Sequence, residues 1–368
     1  MIPAGSSNAP VFQKIFPFYI HYKPVALIMA RLAPYANDHR DTNGPGDARP
    51  NALKIIRDQN LDGQLVGKIF LITGCTAGLG LETARALRAT GADVYFTGRD
   101  VAKGKQVVES LSKYDRPGKI AFIEMHLDSL ESVRAAAGNF LKQSGGKLNV
   151  LIANAGIRGY PKAQTKDGFE QHFGINHLGH FALFQELKDA LIASSTPAFN
   201  SRVIVLTANG HRQSGIRFDD YHFDNRPEGY EPLLAYAQSK TANIYMAFEI
   251  DRRYGAKGLH ALAVHPGYIA TTSLNRTTSP EDFAQIVQNP AIAAKLKSAE
   301  QGAATTVWAA VAREWEGKGE KFLEDCQEGE PCRDDHLRLA PGYAPHIYDF
   351  KSAARLWQES MRMVGLLP

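Results

Sequence analysis

From Lys68 onward the chain alternates short apolar runs with longer stretches whose apolar residues recur at helical spacing. That alternation is the pattern of parallel strands joined by right-handed crossover helices. Strands are predicted at Lys68–Thr73, Asp93–Thr97, Lys119–Glu124, Leu148–Ala153, Arg202–Thr207 and Leu259–Val264, with Lys321–Glu324 as a last one. Helices fall between them, notably Leu79–Thr90, Leu130–Lys142 and Ala235–Tyr254. The predicted fold class is therefore α/β, a single doubly wound parallel sheet with helices on both faces. Two long gaps, Ala208–Leu234 and Tyr268–Ala299, are where ligand-binding loops belong, because loops at the carboxyl ends of parallel strands form the ligand crevice.

Residues 1–66 read as an N-terminal extension and linker, and 67–368 as the domain. Phe12 to Pro34 is rich in aromatic and aliphatic residues, but Lys14, Pro17, His21, Lys23, Pro24 and Arg31 interrupt it. No run there is long enough to cross a bilayer, and the order of features expected of a secretory signal is missing. Two readings stay open: an arm packed on the domain or on a second subunit of a homo-oligomer, and a peripheral membrane anchor near lipophilic substrate. Asn37 to Pro50, dominated by Asp, Asn, Gly and Pro, reads as linker or loop.

Composition narrows the class without naming it. At 368 residues and 44% hydrophobic content the chain can bury a large core, and a net charge of +4 from scattered basic residues leaves no nucleic-acid footprint. Three cysteines, Cys75, Cys326 and Cys332, form neither a zinc pattern nor a disulfide framework, which favours a reducing, cytoplasmic setting with or without membrane association.

Two motifs carry chemistry. The loop Thr73-Gly74-Cys75-Thr76-Ala77-Gly78-Leu79-Gly80 joins the first strand to a helix. There Gly74, Gly78 and Gly80 let backbone amides and the positive end of the helix approach a dinucleotide pyrophosphate. Its spacing differs from the G-x-G-x-x-G fingerprint. Downstream, Tyr236 and Lys240 stand four residues apart on a predicted helix, so a phenol and an ammonium share one face. Each motif alone has a bland alternative, a turn or a surface pair. Together they point to nucleotide-dependent redox chemistry.

With Leu127-Asp128, Asn154-Ala155-Gly156, Asn176-His177-Leu178-Gly179-His180-Phe181, Tyr236 to Asn243 and His265-Pro266-Gly267 in the same order, the chain from about Leu61 resembles the short-chain dehydrogenase/reductase superfamily. Within it, the resemblance is to the retinol-dehydrogenase-like and WW-domain-oxidoreductase-like branch abundant in fungi. The resemblance implies a Rossmann-type domain and NADP-dependent interconversion of a lipophilic alcohol and its aldehyde or ketone, as in a tailoring step of fungal secondary metabolism. Tyr236 would be the general acid or base, Lys240 its electrostatic partner and a ribose ligand, and Asn176 the helix-bending residue whose backbone holds a relay water. Leu79 belongs to the cofactor loop, Asp128 would contact adenine, Asn154 would line the groove, and Ile269 and Thr271 would face the nicotinamide carboxamide. Arg99 is read as the ligand of the NADP 2′-phosphate and Asp100 as the cap of the next helix, with two solvated turn charges as the competing reading. His172, His177 and His180 are read as packed or solvated rings, not metal ligands.

One position departs from the family. Aligning Val205-Leu206-Thr207-Ala208-Asn209-Gly210-His211 puts Ala208 where the family carries a substrate-binding serine. Thr207 is expected to supply that hydroxyl in its stead. The alternatives are an impaired redox site running a non-redox step, and a cofactor-binding scaffold.

Overall fold

The structure, a computed structural model, describes Met1 and residues 31–333 and 339–367. Most of the aromatic arm, from Phe12 to Ala30, lies outside the described residues. Leu32 to Pro368 forms one compact unit.

After a 3-10 turn at Asn37–His39 the elements run α1 (Ala52–Asp58), β1 (Ile69–Thr73), α2 (Gly78–Ala89), β2 (Asp93–Gly98), α3 (Val101–Ser112), β3 (Ile120–Glu124), α4 (Leu130–Ser144) and β4 (Val150–Ala153). They continue with α5 (Gln171–Phe173), a π-turn at Gly174–Leu178, α6 (Gly179–Ser194), β5 (Ser201–Leu206), α7 (Pro232–Tyr254) and β6 (Leu259–His265). The last part holds α8 (Pro280–Gln288), α9 (Pro290–Ala293), α10 (Ala299–Gly302), α11 (Ala304–Val311), β7 (Lys321–Glu324), β8 (Gln327–Glu328) and α12 (Phe350–Met363).

Sheet order is β3-β2-β1-β4-β5-β6-β7-β8, parallel except for the antiparallel edge pair β7–β8. The chain winds outward from β1 to β3, then returns to β4 and winds the other way. That reversal opens a crevice beyond the carboxyl ends of β1 and β4. Alternate strand residues feed two cores: Leu71, Leu151, Val203 and Ala261 pack on one side with α4, α6 and α12, while Phe70, Ile152, Ile204 and Leu262 pack on the other with α1, α2 and α11.

All seven predicted strands are present, Lys321–Glu324 as expected and the other six with ends shifted by one or two residues. β4 begins at Val150 because Asn149 is used as a tie, its Oδ1 accepting from Ile69 N and its Nδ2 donating to Ser194 O. β8 is an addition, a two-residue edge pairing too short to leave a pattern in the sequence. Helix α7 starts at Pro232, three residues before the expected start, because Glu231 caps it by accepting from Leu233 N and Leu234 N.

The domain also begins earlier than residue 67. Ile55 and Ile56 of α1, with Leu61 and Leu65, are buried in the same core as Phe70 and Leu87. The stretch read as linker is bound down as well. Arg49, 5% exposed, donates from its guanidinium to the carbonyls of Gly44, Lys295 and Leu296. Among the described residues no helix is long and apolar enough to cross a membrane.

Three buried histidines set an acid limit on this fold. Burial pushes His177 and His265 down to about 3 and His180 to about 4. Unfolded, the same rings titrate near about 6.5, so below that pH the unfolded chain binds more protons and folding loses stability as pH falls toward the native values. Urea midpoints should therefore fall progressively between about pH 6.5 and pH 4, by less than the three rings alone would give, because burial pushes the Glu324 carboxyl up to about 8 and it gains a proton on folding across the same window. A midpoint that stays level across that window would show that the rings are not held neutral.

Candidate active site

The crevice is a cavity of about 890 Å³ whose walls carry the glycine loop at one end and Tyr236 at the other. Its floor is built around the Thr73 hydroxyl at the end of β1. That oxygen accepts from Asn154 N and Ala155 N, each at 3.0 Å, and bonds the His180 ring nitrogen Nε2 at 2.8 Å. Gly74 follows with φ +72°, and a Cβ there would lie 2.8 Å from that of Ala155. At Gly80 a Cβ would fall 2.4 Å from Gly74 O, so the loop closes only with glycine. Helix α2 begins at Gly78 and its N-cap, Ala77, supplies no side-chain acceptor, which leaves the first N–H groups available to an anion.

The wall also carries Arg99 and Asp128. Arg99 is exposed, and Asp100 caps α3 by accepting from Lys103 N, as expected of Asp100. Asn154 lines the groove, but its amide is a brace, donating to Thr73 O at 2.8 Å. Ile269 is buried against Leu79 and Gly302, where a Cβ on Gly302 would strike both side chains. Thr271 is a correction. It is exposed and off the cavity wall, and Thr272 lines the wall in its place. The cause is Asn275, whose Nδ2 donates to both Ile269 O and Ala270 O and pulls the chain into a turn.

At the other end, α7 brings Tyr236 and Lys240 together, the ammonium 5.6 Å from the ring centroid. Lys240 is 4% exposed, its Nζ donates to Leu206 O at 3.1 Å, and burial lowers it to about 8. Burial also pushes the Tyr236 phenol up, and the strongest influence in the other direction is the guanidinium of Arg158. Asn176 sits in the π-turn. Its Oδ1 accepts from Ile157 N at 2.8 Å while its Nδ2 donates to Ile157 O and to Ser239 Oγ. Its own carbonyl accepts from His180 Nδ1 at 2.9 Å. Because that carbonyl can only accept, the ring proton lies on Nδ1, and Nε2 accepts from the Thr73 hydroxyl.

Thr207 is the second correction. Its hydroxyl donates to Lys240 O at 2.8 Å, so the one proton it carries is committed to α7 and not to the space beside Tyr236. β5 ends at Leu206, and side-chain alternation turns Thr207 toward the helix. Ala208 faces the cavity with no polar atom.

Several wall residues carried no signal strong enough to be singled out from the sequence. Arg158 lines the cavity and its guanidinium donates to Thr278 Oγ1 at 3.4 Å. Asn209 donates to Tyr268 Oη and to Ala340 O, closing the far wall. An apolar side is formed by Leu233, Leu274, Phe283, Ile286, Ile292 and Leu296. These come from segments far apart in the sequence, and only the fold gathers them.

The chain matches the family model for short chain dehydrogenase over residues 68–221. It is 46% identical to "Short-chain dehydrogenase/reductase prx1" of Penicillium roqueforti over 332 residues, covering 90% of this chain and 95% of that protein. To "Retinol dehydrogenase 12" of Mus musculus it is 34% identical, covering 82% and 88%. A crystal structure of an uncharacterized protein from Mycobacterium paratuberculosis matches at 32% identity with a TM-score of 0.60, covering 81% of this chain and 94% of that one. With the glycine loop, the π-wound turn at Asn176 and the Tyr236–Lys240 pair around one crevice, the chain belongs to the short-chain dehydrogenase/reductase superfamily as a retinol-dehydrogenase-like oxidoreductase.

Proposed function

We propose that the protein is an NADP-dependent oxidoreductase that interconverts a lipophilic alcohol and its aldehyde or ketone. A tailoring step in fungal secondary metabolism is the setting that suits it. The carrying observation is one continuous cavity with an uncapped helix N-terminus and Arg99 at one end, Tyr236 and Lys240 at the other, and an apolar wall between Leu233 and Leu296.

The residues present fit the cofactor. The α2 N-terminus and the glycine cradle would hold the pyrophosphate, Arg99 the 2′-phosphate, Asp128 the adenine side and Lys240 a ribose. When bound, the nicotinamide supplies or accepts the hydride. Tyr236 then donates its phenolic proton to the carbonyl oxygen in reduction, or takes the hydroxyl proton in oxidation. Lys240 supports the phenolate by its charge. The chain Thr73–His180–Asn176 holds the bent helix in register with Ile157, which keeps the cavity floor rigid under the reacting groups.

Two measurements test this reading. Fluorescence titration should show NADPH binding more tightly than NADH, and Arg99→Ala should reduce that preference by about ten- to a hundredfold, the worth of a charged hydrogen bond. Equal affinity of the unmodified protein for both cofactors refutes the Arg99 assignment. With NADPH and a panel of aromatic aldehydes, retinal and polycyclic ketones, Tyr236→Phe should lower turnover by about a hundred- to ten-thousandfold with cofactor binding intact. Lys240→Ala should weaken both. Near-normal turnover of the Phe variant would mean that another group gives the proton.

A further inference from the structure

Three hydroxyl or amide groups near Tyr236 have their protons engaged elsewhere. Thr207 donates to Lys240 O, Ser239 donates to Tyr236 O at 2.6 Å, and the Asn209 amide donates to Tyr268 Oη and Ala340 O. Ala208, at the serine position, offers nothing. None of these groups is left to accompany Tyr236 at a carbonyl oxygen about to take a hydride.

Arg158 is built to fill that gap. Its backbone is fixed on both sides: Asn176 clamps the neighbouring Ile157 peptide, and Thr277 Oγ1 donates to Arg158 O at 2.9 Å. Gly159, with φ +71°, approaches Thr277 so closely that a Cβ would lie 2.8 Å from its hydroxyl. The guanidinium lines the cavity, and its one side-chain bond among the described residues is the long one to Thr278. Among the described residues of the cavity wall the one carboxylate is Asp128, at the adenine end. The guanidinium thus has unused donors and no acid to neutralise it, and its loop runs against α7 close to Tyr236: a Cβ on Gly156 would lie 3.5 Å from Lys240 Nζ and one on Gly159 3.9 Å from Leu233 Cδ2.

We propose that Arg158 is a catalytic residue of this site, the donor that holds the substrate oxygen beside Tyr236 and stabilises the negative charge growing on it, in place of the absent serine. The inference rests on the redox reading above. In reduction the carbonyl carbon takes a hydride from the reduced nicotinamide, and the C=O π pair moves onto oxygen. That oxygen takes the Tyr236 proton, leaving phenolate and oxidised cofactor. Arg158 lowers the barrier at the stage when charge is shared between the substrate oxygen and the phenol.

The test uses the full chain, NADPH and all-trans-retinal, with Arg158→Lys, Arg158→Met, Ala208→Ser and the double variant Arg158→Met with Ala208→Ser. Arg158→Met should lower kcat about a hundredfold, as loss of an oxyanion donor does, while the dissociation constant for NADPH stays unchanged. The high-pH fall of kcat should move upward, because without the guanidinium the phenol holds its proton longer. Arg158→Lys should keep part of the rate, and Ala208→Ser should restore about tenfold or more in the Met background while changing little in the unmodified protein. A binding readout stands apart from turnover. With NADP bound, all-trans-retinoic acid should bind about tenfold more weakly to Arg158→Met, and all-trans-retinol should lose distinctly less, because its oxygen carries no charge. The proposal is overturned by a loss confined to KM with an unmoved pH profile, by equal gains from Ala208→Ser in both backgrounds, or by unchanged retinoic acid binding. An unmodified protein that binds NADPH yet reduces none of the carbonyl panel overturns the redox reading itself, and the proposal with it.

Discussion

The site depends on one side-chain amide. Asn176 joins the loop after β4 to α7, gripping both backbone groups of Ile157 on one side and Ser239 on the other. It can do so because the helix is π-wound from Gly174 to Leu178, which displaces the usual backbone pairing and turns the side chain inward. Without that clamp, Gly156 and Arg158 would have no fixed height above Lys240. A Cβ on Gly156 would lie 3.1 Å from the Asn176 oxygen and 3.5 Å from the ammonium, which shows how close the three segments come.

Around that clamp, burial does the electrostatic work. The ammonium of Lys240 and the phenol of Tyr236 are nearly water-free, so each is biased toward its neutral form. Their proximity on α7 is necessary but does not by itself make the phenol acidic. The charge that opposes this for the phenol is the Arg158 guanidinium, on the loop after β4 that lines the same cavity. A helix buried on almost all sides from Ala235 to Ile250 makes the arrangement possible, since it holds both groups rigidly in a low-dielectric interior.

The same economy of hydrogen bonds explains why Thr207 did not become the missing serine. Its backbone N–H still extends the sheet, donating to Val264 O at 2.9 Å, and its hydroxyl then meets the Lys240 carbonyl of α7. A hydroxyl one residue out of phase on a strand end serves the neighbouring helix and not the cavity. Asn209 is likewise absorbed, in closing the wall with Tyr268 and the Ala340 carbonyl.

By itself the sequence determined the strand–helix alternation, the glycine loop and the Tyr236–Lys240 pair. Each of these is written in short-range terms: period-two and period-3.6 apolar patterns, glycines where a side chain cannot fit, and a four-residue spacing on a helix. The cap at Asp100 was legible for the same reason. The direction of the Thr207 hydroxyl, the exposure of Thr271, the inclusion of α1 and Arg49 in the domain, and the place of Arg158 beside Tyr236 were decided only by the tertiary structure. They turn on partners far away along the chain: Lys240 for Thr207, the carbonyls of Lys295 and Leu296 for Arg49, and Thr277 and Thr278 for Arg158. A local pattern fixes which face a residue occupies on its own element. Which donor meets which acceptor depends on how the elements pack, because buried polar groups must be satisfied by whatever the fold brings to them.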